Sequence, residues 1–429
     1  MKIVKLNKQT KQDILTNLLK RNPGQYTEYE QTVNEILADV RENGDKAVFS
    51  YTERFDHCKL NADTIRVTEE EIQCAYDAYD KDLIRIMEDA AANIISYHQK
   101  QLTNSWIETN ENGCILGQKI TPIDTVGVYV PGGKAAYPSS TLMCILPAKV
   151  AGVRRIIMTT PPDREGRVCA STLVAAREAG ADVIYKAGGA QAIGAMAYGT
   201  ASIPKVDKIV GPGNIFFALA KKAVFGYVSI DSVAGPSEIL VIADESADPS
   251  YVAADLLSQA EHDQLASAIL ITTSEKLAEQ VHNEVERMTK TLSRREIIEA
   301  SLENYGYILL ADSMEDAMDA ANAIASEHVE ILTKNPFETM GRLKNAGAIF
   351  LGPYSSEPLG DYYAGPNHVL PTNGTAKFFS PLGVDAFIKR SSIISYSKEA
   401  LLNAAEDIAK FADAEGLTAH ANSIRIRMD

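Results

Sequence analysis

The spacing of hydrophobic and polar positions changes near residue 124. Before it, apolar residues recur every three or four positions, which is typical of amphipathic helices. One such stripe runs from Leu83 to Tyr97, and Thr68 and Glu71 have the spacing of a capping box. The pattern therefore predicts that the first 110 or so residues are helical.

After residue 124, short continuous apolar runs alternate with helical stretches. The first series is Thr125–Val130, Arg155–Thr159, Asp182–Tyr185 and Lys208–Val210. The second is Glu238–Ala243, Ala268–Thr272, Tyr307–Ala311, Val329–Leu332 and Ala348–Leu351. Continuous strand-forming runs separated by helices are typical of parallel sheets that are covered on both faces. The chain is therefore predicted to be an α/β protein with two similar Rossmann-like lobes of mostly parallel sheet, plus small N- and C-terminal extension domains.

The two ends of the chain have different patterns. The segment before Pro23 is predicted to be a separate arm. Residues 352–387 are rich in glycine and proline, and long loops of this kind in compact proteins usually carry function. A strand is predicted at Phe387–Tyr396, followed by a helix that begins after Ser397, and the residues after Gly416 are predicted to be extended.

Composition and charge narrow the class of protein. The 42 Lys and Arg residues against 57 Asp and Glu residues give a net charge of −15, which disfavours a nucleic-acid partner. No apolar stretch approaches the ~18 residues of a transmembrane helix, and the N-terminus does not resemble a secretory signal. The five cysteines form no C-x-x-C pair and are interpreted as reduced thiols. We expect a cytoplasmic enzyme that does not contact membranes.

A helix after Asp248 carries the first candidate metal site. Asp248 is a helix cap with Pro249 at the first helical position. Asp255, Gln259 and His262 follow at spacings of four and three, so they share one face. The amide oxygen and the imidazole could bind one metal ion, but a hydrogen-bonded helix end has the same spacing.

Glu327 and His328 lie at a predicted corner between a helix and a strand. Adjacent residues at such a corner can point into a cleft and supply two proton-transfer groups with different pKa values. The pattern alone is also that of a solvated turn.

Glycine-rich turns follow three of the predicted strands, at Gly132–Gly133, Gly188–Gly189 and Gly211–Asn214. The second and third could present backbone N–H groups to a phosphate, and the first is a tight turn after a strand. None has the G-x-G-x-x-G spacing of a dinucleotide-binding loop, so ordinary strand–helix turns explain them equally well.

Eight short strings together resemble the histidinol dehydrogenase family, in its order and spacing from about residue 120 to the C-terminus. They are GVYVPGG (127–133), GGAQAIGA (188–195), VGPGN (210–214), AGPSE (234–238), SQAEHD (258–263), SEHVE (326–330), GDYYAGPNHVLPT (360–372) and EGLTAHA (415–421).

The resemblance implies a reaction and a set of residues. The family oxidises L-histidinol through L-histidinaldehyde to L-histidine with two NAD⁺, using one Zn²⁺ per subunit. His328 is then implied as the general base and Glu327 as the group that activates water. The implied zinc ligands are Gln259, His262, Asp361 and His420. The implied substrate contacts are these four with Ser237, His328, His368 and Glu415, and the implied NAD contacts are Tyr129, Gln191 and Asn214.

The resemblance also implies a homodimer with an exchanged C-terminal tail. Residues 1–25 would form an arm, 26–122 with 239–380 the lobe that carries the catalytic residues and most metal ligands, 123–238 the NAD-binding lobe, and 381–429 the exchanged tail domain.

Two alternatives stay open. A related dehydrogenase of the same fold could oxidise another primary alcohol by the same two steps. A two-lobed solute- or metal-binding protein could also be built from paired α/β lobes, although a Glu-His pair would have no purpose in it.

Overall fold

The structure is a computed structural model that describes residues 1–21, 27–132 and 137–428. Its strands are β1 (Lys2–Lys5), β2 (Trp106–Thr109), β3 (Ile115–Pro122), β4 (Thr125–Tyr129), β5 (Arg155–Thr160), β6 (Val183–Lys186), β7 (Lys208–Val210), β8 (Ser229–Ile230), β9 (Glu238–Ala243), β10 (Ser267–Thr272), β11 (Gly306–Leu310), β12 (His328–Leu332), β13 (Ala348–Leu351) and β14 (Ile388–Ser395).

Helices occupy most of the remaining described chain. They are α1 (Lys8–Leu19), α2 (Thr27–Asn43), α3 (Asp45–Asp56), α4 (Glu69–Ala78), α5 (Lys81–Gln99), α6 (Pro138–Ala151), α7 (Ala170–Ala179), α8 (Gly189–Tyr198), α9 (Ile215–Val224), α10 (Pro249–Ala260), α11 (Glu275–Thr289), α12 (Arg295–Tyr305), α13 (Met314–Ile324), α14 (Pro336–Met340), α15 (Glu357–Leu359), α16 (Lys398–Ala414) and α17 (Thr418–Arg425). Within this described part, no helix has the length and apolar content needed to span a bilayer.

Two parallel sheets form the larger of two compact units, which comprises residues 1–101 and 123–387. The first sheet contains the second series of predicted strands and has six strands in the order β1-β11-β10-β9-β12-β13. The second sheet contains the first series and has five strands in the order β6-β5-β4-β7-β8. β9, β10 and β12 are buried along their whole length, as expected for strands with helices on both faces.

The two sheets share one topology. Apart from the added strand β1, each sheet has its first, second and third strands on one side and its fourth and fifth on the other, the 3-2-1-4-5 order of a Rossmann fold. The order reverses between β9 and β12 in the first sheet and between β4 and β7 in the second. The predicted fold class, two similar α/β lobes of mostly parallel sheet, is confirmed.

Residues 102–122 and 388–429 form the smaller unit. Its antiparallel sheet has the order β14-β3-β2, and the predicted strand Phe387–Tyr396 is confirmed as β14. The prediction that the residues after Gly416 are extended is wrong, because they form α17. This short helix buries Ala421, and small residues such as Ala405 and Ala409 on α16 are buried too, so the two helices can pack closely.

The N-terminal half departs from the predicted organisation in three places. β1 joins the first sheet beside β11, so the first residues are part of a lobe rather than a separate arm. Residues 22–26, where the arm's boundary was predicted, lie outside the described residues. Helices α2 and α3 pack on α8 and α9 and thus belong with the second sheet, not the first, because Val33, Leu37 and Val40 join that sheet's core. β2 lies where helix was predicted, since it pairs with β3.

Candidate active site

Glu327 and His328 lie at the amino edge of the first sheet, where the strand order reverses. α13 ends at Ile324, Ala325 adopts a left-handed conformation (φ 53°), and β12 begins at His328, so the predicted helix–strand corner is confirmed. Both side chains are almost fully buried. The backbone of Glu238, at the start of β9, binds both side chains. Its N–H donates to Oε2 of Glu327 (2.9 Å), and the carbonyl of Glu238 accepts from Nδ1 of His328 (3.0 Å).

This contact determines which nitrogen of His328 is free. Because Nδ1 donates to a carbonyl, the lone pair of the neutral ring lies on Nε2. Nε2 is buried without a hydrogen-bond partner among the described residues, and it lies 3.6 Å from Oδ1 of Asp361. Burial lowers the pKa of His328, but the carboxylates of Glu327 and Asp361 outweigh this effect and raise it to about 10. Burial also raises the pKa of Glu327 to about 8, against the opposite effect of His328.

The glycine- and proline-rich loop brings two further carboxylates to His328. Glu357 begins the short helix α15, and Asp361 lies in the π-helical turn Gly360–Ala364 that follows. At Gly360 a Cβ atom would lie 2.6 Å from the Phe350 ring, so only glycine allows this close approach. His328, Glu357 and Asp361 each place a ligand atom within 4.8 Å of the others, an arrangement that could hold a metal ion.

Glu357 is fixed in this cluster by two hydrogen bonds. Its N–H donates to Oε1 of Glu330 (2.7 Å), and its Oε2 accepts from Ser258 (3.0 Å). Burial and the neighbouring Asp361 raise the pKa of Glu357 to about 7. Burial likewise raises the pKa of Asp361, but the neighbouring imidazoles of His328 and His368 bring it below its usual value.

Gln259 and His262 lie beside the same cluster. Gln259 is in the last turn of α10 and is only 1% exposed, and both its amide atoms are buried without a hydrogen-bond partner in the described chain. His262 lies beyond the end of that helix and is exposed at the surface. Desolvation nevertheless lowers the pKa of His262. The charge of Asp361 acts in the opposite direction and that of His328 in the same direction, so the imidazole lies in the electrostatic field of the cluster.

The group of residues that could hold a metal ion differs in part from the predicted ligand set. The two share Asp361, and Gln259 and His262 adjoin it, whereas Glu357 is a carboxylate that the sequence analysis missed. A sequence signal for Glu357 exists, because Glu357 and Asp361 are four residues apart on either side of Gly360. That spacing places two side chains on one face of a helical turn.

His368 connects the cluster with the helix that follows the first strand of the second sheet. Its Nδ1 lies 3.0 Å from the carbonyl oxygen of Asp361, and its Nε2 lies 3.1 Å from Oγ of Ser140 in the first turn of α6. Both ring nitrogens therefore have partners. Ser237, directly before β9, is half-buried. The amino edge of the first sheet thus adjoins the carboxyl edge of the second.

At that carboxyl edge, Tyr129 closes β4 and Gly211 follows β7. The Tyr129 ring is buried, stacks on Phe217 with 4.2 Å between centroids, and its hydroxyl accepts from the N–H of Gly189 (3.2 Å). Burial raises the pKa of Tyr129 to about 12. Gly211 has φ 128°, and a Cβ atom there would lie 2.2 Å from the carbonyl oxygen of Tyr129. The backbones at the ends of β4 and β7 therefore approach closely because residue 211 is glycine.

Gln191 and Asn214 occupy the starts of the two helices at this edge. Gln191 is buried in α8, and its Oε1 lacks a hydrogen-bond partner within residues 1–21, 27–132 and 137–428. Asn214 is the exposed N-cap of α9, where its side-chain oxygen accepts from the N–H of Phe217 (3.2 Å). Gly133, the end of the first glycine turn, lies outside the described residues.

Glu415 and His420, the remaining residues that the resemblance implied, belong to the smaller unit. Glu415 caps the end of α16 and His420 lies in α17, and both side chains are exposed.

Comparisons with known proteins identify relatives of high similarity. The family model for histidinol dehydrogenase matches residues 19–428. The chain is 56% identical to the histidinol dehydrogenase of Clostridium acetobutylicum over 96% of this chain and 95% of that protein. It is 54% identical to that of Halalkalibacterium halodurans over 100% and 99%.

A solved structure extends this similarity to the fold. The crystal structure of histidinol dehydrogenase from Elizabethkingia anophelis superposes with a TM-score of 0.93 at 37% identity, covering 100% of this chain and 98% of that one. The resemblance seen in the eight sequence strings is thereby confirmed: the chain belongs to the histidinol dehydrogenase family, a family of oxidoreductases.

Proposed function

We propose that this protein is an NAD-dependent L-histidinol dehydrogenase, which oxidises L-histidinol through L-histidinaldehyde to L-histidine. The observation that carries the proposal is His328, a buried imidazole whose Nε2 has no hydrogen-bond partner among the described residues, next to Glu327 and to the carboxylates of Glu357 and Asp361, which could hold a metal ion. The balanced overall reaction converts L-histidinol, two NAD⁺ and one water into L-histidine, two NADH and three protons.

The first oxidation needs a base at the alcohol. Nε2 of His328 removes the hydroxyl proton while a hydride passes from the carbinol carbon to NAD⁺, leaving the aldehyde. Because Nδ1 is held by the Glu238 carbonyl, the proton-accepting atom has a fixed direction.

The second oxidation needs water, since an aldehyde has no removable hydroxyl proton until it is hydrated. Glu327 takes a proton from the water that adds to the carbonyl carbon. The raised pKa of Glu327 supports this role, because a carboxylate with a pKa near the working pH is a stronger base. His328 then accepts the proton of the hydrate as the second hydride leaves.

The residues present fit a zinc ion. The amide of Gln259 and Nε2 of His328 are buried without hydrogen-bond partners in the described chain, and the carboxylates of Asp361 and Glu357 lie close to that nitrogen, so a bound ion would satisfy polar groups that the protein leaves unpaired. We infer that Gln259, His262, Asp361 and His420 hold Zn²⁺, with Glu357 beside them. The ion would polarise the substrate oxygen and, through its charge, favour the neutral form of His328.

Neighbouring sheet edges support the placement of the cofactor. His368 hydrogen-bonds both the Asp361 loop and Ser140, which lies beyond β4, so a ligand at Tyr129, Gln191 and Asn214 would be near the cluster. We assign these three residues to NAD⁺, and Ser237, His368 and Glu415 to L-histidinol along with the zinc ligands. The exposure of Glu415 and His420 supports a homodimer in which each C-terminal tail completes the partner's site.

Substitutions of the Glu-His pair test the proposal by separating the two oxidations. Glu327→Gln should slow aldehyde oxidation more than alcohol oxidation, because only the second step needs activated water. His328→Asn should lower both by roughly 10²–10⁴-fold, as the loss of a general base does elsewhere. NADH formation from L-histidinol and from L-histidinaldehyde, measured separately, gives the comparison. Equal and small effects of both variants on both steps would contradict the assigned roles.

A further inference from the structure

Glu238 has a side chain for which the proposed reaction gives no purpose. It is the first residue of β9, is 2% exposed, and precedes five apolar residues in that strand. Its peptide groups hold both members of the proposed catalytic pair, the N–H binding Glu327 and the carbonyl binding Nδ1 of His328. A movement of this one residue would therefore displace both groups together.

Arg21 fixes the Glu238 side chain from a distant part of the sequence. Its Nη2 forms an ion pair with Oε1 of Glu238, and the arginine side chain is fully buried. Nη1 donates to the carbonyl of Leu265 (2.9 Å), and Nε donates to that of Leu18 (3.3 Å). The guanidinium also lies over the Tyr305 ring, 5.2 Å from its centroid. One side chain thus joins the end of α1, the loop before β10 and the start of β9.

A buried ion pair is weak evidence of a contribution to stability. Removing two charges from water has a large cost, and well-packed apolar residues often stabilise a protein as much as a buried ion pair does. A planar guanidinium with several fixed donors does, however, hold a carboxylate in one position. The pair is therefore better explained by the position that it gives to Glu238.

We propose that the Arg21–Glu238 ion pair is a positioning device for Glu327 and His328, through which the N-terminal segment sets the geometry of proton transfer. This inference rests on the proposed function, since it concerns those two residues' roles. Neither Arg21 nor the Glu238 side chain touches the reacting atoms. The pair acts by fixing the peptide that orients the imidazole and the carboxylate.

The double variant Arg21→Met/Glu238→Gln tests this inference, because it removes both charges and leaves no unpaired charge in the interior. We expect it to fold, with an unchanged KM for NAD⁺ and a kcat lower by roughly 10- to 100-fold in both oxidations, as for a small displacement of catalytic groups. The single variant Arg21→Lys keeps the positive charge but lacks the planar fork of donors. Its kcat should lie between those of the unsubstituted protein and the double variant.

Leu277→Ala is the matched control for stability. Leu277 is buried in the same lobe, in the first turn of α11, which follows the carboxyl end of β10 and so lies at the opposite edge of the sheet from Glu238. It should lower the melting temperature while kcat, measured well below that temperature, stays near that of the unsubstituted protein. If the double variant lost kcat only because the protein is less stable, Leu277→Ala would lose kcat by a similar factor.

The outcomes distinguish the inference from the proposed function. An unsubstituted protein that does not oxidise L-histidinol refutes the proposed function itself. An active protein whose double variant keeps its kcat, or loses no more than Leu277→Ala does, overturns only the positioning role. If the double variant does not fold, Arg21→Lys alone decides, because it keeps the charge but loses the fork of donors: a lowered kcat with unchanged KM for NAD⁺ supports the role, whereas an unchanged kcat overturns it.

Discussion

At the scale of single residues, peptide groups rather than side chains fix the candidate proton acceptor. The carbonyl of Glu238 binds Nδ1 of His328, so the neutral imidazole presents Nε2 to Asp361. A site held by the backbone of a strand is more precisely placed than one on a loop, which suits the proposed role of His328 as the base of two successive steps. The cost is a set of buried polar atoms, including the amide of Gln259, that need a bound ligand to satisfy them.

Gly211 is the residue at which the second sheet has least tolerance. We expect Gly211→Ala to lower the free energy of unfolding by about 1–3 kcal/mol, because alanine is strained at φ 128°. Its Cβ would also meet the Tyr129 carbonyl oxygen at 2.2 Å, so the loop that leads to Asn214 must move. The KM for NAD⁺ should then rise roughly tenfold, because Asn214 is a proposed NAD⁺ contact and each loss of about 1.4 kcal/mol of binding free energy weakens affinity tenfold.

Gly226→Ala is the control for Gly211→Ala. Gly226 also has a positive φ, 103°, but a Cβ atom there would have no neighbour within 4 Å. Urea unfolding and NAD⁺ titration of the two variants separate backbone strain from the steric contact. If Gly226→Ala raises the KM for NAD⁺ as much as Gly211→Ala does, the contact with Tyr129 has no role in cofactor binding.

At the scale of elements, several candidate site residues lie outside the two parallel sheets, in the loop of residues 352–387 and in the C-terminal tail. α15 and the π-helical turn bring Glu357 and Asp361 to the amino edge of the first sheet. α17 carries His420 as an exposed side chain of the smaller unit. A single imidazole is a weak metal site, so His420 needs further ligands beside it, and in the proposed dimer these belong to the partner subunit.

Mixing two inactive variants tests the exchanged tail. His262→Asn and His420→Asn should each lose zinc and activity as homodimers. After the subunits reassort, one site of each heterodimer should carry both substitutions and the other neither, so up to about half of the heterodimer's sites should bind zinc and turn over substrate. Metal content and NADH formation measure this recovery. Heterodimers that form but stay inactive would show that each tail completes a site in its own subunit.

Sequence patterns predicted most of the framework because its strands are apolar, short and separated by helices. Lys208–Val210, Glu238–Ala243 and Ala348–Leu351 were predicted with their exact bounds. β1 was missed because two of its four residues are lysines and its strand character comes from pairing with β11. α17 was missed because so short a helix depends on packing against α16.

The site was predictable in those parts whose residues are close in sequence. Glu327 with His328, and Gln259 with His262, could be found from local spacing. The contacts of Arg21 with Glu238 and of Ser258 with Glu357 join segments far apart in sequence, so no periodicity reports them. Functional roles for His420 and Glu415 came only from the family resemblance.

At the scale of the whole molecule, the larger unit uses opposite edges of two sheets with the same strand order. The amino edge of the first sheet carries the proposed acid–base pair and the groups that could hold a metal ion, and the carboxyl edge of the second carries the glycine turns of a Rossmann-like fold. His368 and Ser140 lie between them. In the proposed reaction, this arrangement would keep the substrate at the base while two NAD⁺ molecules bind in succession at the other edge.

The most direct test of the account is the number of NADH molecules formed for each L-histidinol consumed. Absorbance at about 340 nm, with L-histidine measured in the same samples, should give two NADH for each L-histidinol and no accumulated aldehyde. A chelator should abolish both products, and added Zn²⁺ should restore them. One NADH with accumulation of L-histidinaldehyde, or full turnover by a preparation shown to be free of metal, would contradict the account.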